Sequence, residues 1–89
     1  MPDLEEFRAL VGERFSTAGV ELALTSAEPL GEAPAPQLPA PFRLEFRGPP
    51  QPVLAQDTHA LAHGERVYEI FVGPIGRTAT GTTYEAIFS

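Results

Sequence analysis

Eighty-nine residues leave room for one core and for no second independently folded unit. Cysteine is absent, which excludes disulfide bridging, thiol catalysis and every thiolate metal site. Twelve acidic residues against six arginines, with no lysine, give a net charge of −6, a balance that opposes nucleic-acid phosphates and anionic membrane surfaces.

No apolar run approaches the ~18–20 residues of a membrane-spanning helix. The opening Met1-Pro2-Asp3-Leu4-Glu5-Glu6 is acidic where a signal peptide is basic and then apolar. These features predict a complete, unprocessed chain, cytoplasmic or part of an exported assembly, with no transmembrane segment.

Asp3 has the character of a helix N-cap, and Glu5 and Glu6 follow in the first turn, where the helix dipole favours negative charge. Leu4, Phe7, Leu10 and Val11 recur at helical spacing until Gly12, predicting about two turns with one apolar stripe. A helix so short needs an apolar surface to cover. Arg14 to Thr17 opens a first strand, and Gly19 marks a tight turn or bulge. Val20, Leu22 and Leu24 then alternate with Glu21, Ala23 and Thr25 at the period of a half-buried strand.

From Pro29 to Pro41 the texture changes. Pro29, Pro34, Pro36, Pro39 and Pro41 fall among Ala, Gly, Glu and Gln, which predicts an extended, polyproline-like loop, long for so small a domain. Pro36-Gln37-Leu38-Pro39 fits the minimal PxxP pattern, though no basic residue sits beside it and the pattern is common by chance. Phe42 to Arg47 is the clearest strand, with Phe42, Leu44 and Phe46 on one face and charges on the other.

Gly48-Pro49-Pro50 and Pro52 force a turn or irregular crossing, after which Val53 to Gln56 reads as a short strand. Thr58 to His63 alternates weakly. Gly64-Glu65 is a turn, and two runs rich in β-branched and aromatic residues follow, Arg66 to Pro74 and Thr83 to Phe88. They fold back as a hairpin around a generous loop, Gly73 to Thr82. The expected fold is mainly β, a single domain spanning residues 1–89. It takes the form of a small antiparallel barrel or two-layer sandwich of five to six strands with a short N-terminal helix.

Chemistry has few footholds. His59 and His63 would share a face of a helix, but on a strand they stand about 13 Å apart, too far for one ion, so no metal is expected. The glycines after Val72 match neither the Walker nor the dinucleotide fingerprint. Glu45, Glu69 and Glu85 alternate with Arg43, Arg47 and Arg66, the pattern of cross-strand ion pairing on a solvated face. Ser16 and Ser26 lack a nucleophile-elbow context. No catalytic constellation and no cofactor site emerges, and the expectation is a protein that is not an enzyme.

The hairpin carries the more informative anomaly. With Glu69 and Glu85 facing solvent, the period of two puts Val67, Phe71 and Ile87 outward with them, while Tyr68, Ile70, Val72, Tyr84, Ala86 and Phe88 turn in. Val67, Phe71 and Ile87 therefore form a candidate partner surface. The N-terminal helix is expected to cover part of it with Leu4, Phe7 and Val11, leaving a smaller patch for a protein partner or for self-association. The runner-up reading is a small β-barrel that binds a sugar or peptide in its mouth.

Phe42-Arg43-Leu44-Glu45-Phe46, Gln56-Asp57-Thr58-His59, Tyr68 to Gly76 and Tyr84 to Phe88, together with Phe7, Leu10-Val11-Gly12 and Phe15, resemble a family of small bacterial domains of unknown function. Genes for its members often lie near those for phage-tail-collar-like fibre proteins. The resemblance implies a structural protein, an accessory or assembly partner of a phage-tail-fibre-like structure, and carries over no site residue. The chain departs from the family pattern at Gly73, where a larger residue is expected before the proline, and in the density of proline between Pro29 and Pro41.

Overall fold

In the computed structural model, which describes residues 2–88, the Asp3 carboxylate accepts a hydrogen bond from the Glu6 backbone N–H at 3.0 Å and starts helix α1 (Leu4–Arg8). The helix is shorter than the apolar spacing suggests. Its last amides fall into tighter bonds, Leu10 N–H to Phe7 O and Val11 N–H to Arg8 O, and Val11 is left 44% exposed.

Six strands follow: β1 (Arg14–Thr17), β2 (Val20–Pro29), β3 (Phe42–Gly48), β4 (Asp57–His63), β5 (Arg66–Thr78) and β6 (Gly81–Phe88). All neighbours are antiparallel, and the sheet closes on itself in the order β1-β2-β3-β6-β5-β4. Closure settles the choice between barrel and sandwich, and it rests on one register pair, Ser16 with Ala62. The turn from β1 to β2 is made by Ala18 and Gly19, both with positive φ, the geometry that matches the twist of a two-residue hairpin.

Inward positions form one core. Phe15, Leu22, Leu24, Leu44, Phe46, Leu61, Val72 and Tyr84 are fully buried, as the alternation in the strands requires. A bulge between Leu24 and Ser26 shifts the inward set of β2, so Ala27 is its next buried residue. Phe42 and Phe88, paired across β3 and β6, stack at 4.5 Å between ring centroids.

Three sequence-based expectations change here. Val53 to Gln56 is not a strand: Leu54 turns into the core, and its N–H donates to the Tyr84 hydroxyl at 2.9 Å, which takes the place of a ladder bond. The run from Gly73 to Thr82 is not a generous loop, because β5 continues to Thr78 and turns through Ala79 and Thr80 into β6. Pro74 is tolerated in the strand beside a bulge between Pro74 and Gly76, where the ladder is already interrupted. The proline-rich loop is not extended throughout. Pro36 presets the second position of a turn closed by Leu38 N–H to Ala35 O at 3.0 Å, and Leu30 N–H to Pro41 O ties its ends.

Gly73 also acquires a reason. A Cβ built there would lie 2.7 Å from Gln56 Cγ and 2.9 Å from Gln56 Cβ, so the larger residue expected before the proline has no space in this chain.

Candidate functional site

The outer faces of β5 and β6 end beside α1, whose Leu4 and Glu5 share a groove with Phe71 and Ile87. Along β5, Tyr68, Ile70 and Val72 are buried while Val67, Glu69 and Phe71 are exposed; along β6, Tyr84 and Ala86 are buried and Ile87 is exposed. Val67, Phe71 and Ile87 keep 61%, 57% and 50% of their surface in solvent. All three point where the alternation puts them.

The structure brings only two of them together. Continuing the Gly73–Glu85 pairing by two residues sets Phe71 opposite Ile87, and both line one groove. Val67 stands apart, opposite Ala62 near the far end of β5, with Glu69 between it and Phe71.

The groove holds about 560 Å3. Besides Phe71 and Ile87 it is lined by Pro2 and Leu4 from the N-terminal segment, by Pro39 and Ala40 of the proline-rich loop, and by Phe42 and Phe88. Its charged lining residues, among the described residues, are Asp3 and Glu5, both carboxylates. Leu4 lies beside the patch as expected, whereas the approach of Pro39 and Ala40 has no sequence signal, because it depends on two distant segments meeting over one strand end.

The helix does not cover the outer face with Phe7 and Val11, contrary to expectation. Phe7 turns into the end of the ring and is fully buried, with its ring centroid 5.4 Å from Tyr68, 5.6 Å from Phe88 and 6.0 Å from Phe42. Glu6 fastens this arrangement by accepting from the Tyr68 hydroxyl at 2.7 Å and from Arg66 Nη2 at 3.1 Å. An aromatic side chain gains more by filling the ring end than by lying over a convex sheet, and only Leu4 is left to flank the outer patch. Burial, followed by the bond to Glu6, pushes the Tyr68 hydroxyl pKa above its usual value.

Outer-face charges on the neighbouring strands are largely paired. Arg43, beside Ile87 in the register, donates to both Glu85 and Glu45, and those two carboxylates hold its guanidinium above its usual pKa. Arg66 turns to Glu6, so Glu69 takes no part in the expected cross-strand pairing with it. Arg47 bonds the hydroxyls of Thr80 and Thr83.

The two histidines lie on β4 and are engaged separately. His59 Nε2 is 2.7 Å from Ala55 O, and His63 Nε2 is 3.0 Å from Glu13 Oε1 with its ring against Phe15. Among the described residues no group of three or more His, Asp or Glu is placed to hold a metal ion, and no helix is long and apolar enough to cross a membrane.

Fold and site together define a small six-stranded antiparallel ring, plugged at one end by its own N-terminal helix and carrying an apolar groove on its outer face. The chain belongs to the family described as domain of unknown function DUF6916, whose model matches residues 2–88. No curated protein and no solved structure matches it.

Proposed function

We propose that the protein is a non-enzymatic interaction module whose outer face engages a protein partner, in the role of an accessory or assembly partner of a phage-tail-fibre-like structure. The observation that carries this reading is the juxtaposition of Phe71 and Ile87, both at least half exposed, in an apolar groove on a small acidic domain. Large apolar side chains gathered at one surface site mark interaction surfaces, whereas the same residues scattered singly mean little. The tail-fibre context comes from the family resemblance and gives the reading its specific form.

A sugar or peptide held in the mouth of the ring has less to rest on. Phe7 fills one end, and Leu54 and Tyr84 pack into the interior toward the other.

The test places a photo-crosslinking phenylalanine analogue at position 71 of the full chain in its own host, with the same analogue at the exposed position 77 as the control. A discrete protein adduct that forms at 71, is absent at 77 and disappears with Ile87→Glu is the expected result. A fibre-like protein in that adduct supports the assembly role. Adducts that are the same at both positions, or that survive Ile87→Glu, overturn the reading.

A further inference from the structure

From the charge around the groove we infer the chemistry of its partner: a segment of another protein that inserts large apolar side chains against Phe71, Ile87 and Leu4 and carries lysine or arginine beside them. The inference rests on the proposal that this face is an interaction surface, and adds what recognises it. Apolar walls take the inserted side chains, and a groove of about 560 Å3 lies within the ~300–1,000 Å3 typical of a ligand pocket.

The rim sets the sign. Asp3 and Glu5 are the charged residues that line it among the described residues. One Asp3 oxygen caps Glu6 N–H and Glu5 meets Arg8 at 3.0 Å, so each carboxylate has a second oxygen for an incoming cation. Arg43, opposite Ile87 in the register, is bound by both Glu45 and Glu85, and that cluster sums to −1. A second copy of this chain would bring another −6 to an acidic rim, and electrostatic complementarity favours a basic, apolar segment instead.

The experiment titrates short fluorescent peptides of alternating Leu-Lys, Leu-Gln and Leu-Glu into the full chain and reads anisotropy. Leu-Lys is expected to bind about tenfold tighter than Leu-Gln, with Leu-Glu weakest and the advantage of Leu-Lys shrinking as salt rises. The pair Asp3→Asn and Glu5→Gln, in which Asn still caps the helix, should bring Leu-Lys down to the Leu-Gln level without changing Leu-Gln. Phe71→Ser with Ile87→Ser, at exposed positions that leave the core intact, should abolish saturable binding of all three.

If Leu-Gln binds as tightly as Leu-Lys and both depend on Phe71 and Ile87, the basic partner is overturned and the interaction face stands. If binding ignores Phe71 and Ile87, or no peptide binds saturably, the inference fails. In the first of those cases the face itself loses its support.

Discussion

Tyr68 shows how one side chain serves two structures at once. Its ring packs against Phe7 and Phe15 inside the sheet, while its hydroxyl reaches out to Glu6 and locks the helix over the ring end. Burial and the bond to Glu6 both favour the protonated phenol, so its pKa in the folded protein lies above the unfolded value of 10.0. A raised pKa means that the folded state binds the proton more tightly. The stabilisation is then complete below about pH 10 and is lost as pH climbs from there through the folded pKa. Denaturant titrations of the parent and Tyr68→Phe should differ by a constant amount from neutrality to about pH 9, and the parent should lose that advantage at higher pH. Parallel curves through the alkaline range would show that the phenol is not held in its protonated form. At this scale the sequence was informative about direction and silent about partners: the period of two turns Tyr68 inward, but nothing in it pairs the hydroxyl with a carboxylate sixty-two residues earlier.

Helix α1 shows why an element can be legible and its destination not. Asp3 as the cap and the acidic first turn follow from local chemistry and are found as expected. Which apolar surface the helix meets is a question of shape, and the open end of a closed ring does not exist until all six strands have formed. The loop from Gly73 to Thr82 fails for a related reason: Gly and Pro signal a break in local structure, yet a bulge absorbs Pro74 while neighbouring strands keep the hairpin paired. The same logic hid the groove, since Pro39 and Ala40 acquire a role only when the loop folds back toward Leu4. The helix can be tested as a plug. Phe7→Ala removes a fully buried ring from an aromatic cluster and should cost about 3–5 kcal/mol, a large part of the stability of a domain this small. Val11→Ala should stay within about 0.5 kcal/mol, because Val11 is nearly half exposed. Chemical denaturation that finds equal costs at the two positions would return the helix to a general apolar cover.

The whole molecule has an unequal seam. Seven residue pairs join β3 to β6 and seven join β4 to β5, but only Ser16 and Ala62 join β1 to β4. Alternation in the sequence is equally compatible with a sandwich and a closed ring, since both bury one face of every strand. The deciding contact lies between the first and fourth strands and has no local signature. What supplements that single pair is side-chain packing: Phe15 meets the His63 ring at 5.2 Å, and Glu13 meets His63 Nε2 at 3.0 Å. A seam with one ladder pair and partly solvated side chains should open without unfolding the rest, because local opening is easiest where few buried contacts and few backbone bonds must break together. Native-state hydrogen exchange followed by NMR reads this directly. Amides spanning β1 and β4 should exchange through an opening well below the free energy of global unfolding, whereas amides between β3 and β6, around Leu44 and Ala86, should exchange only with the whole protein. Phe15→Leu should speed exchange at the seam by more than it speeds exchange between β3 and β6, since it thins the packing that supplements the single pair. Equal protection on both sides would mean that the ring opens only as a unit, with closure as strong as any of its ladders.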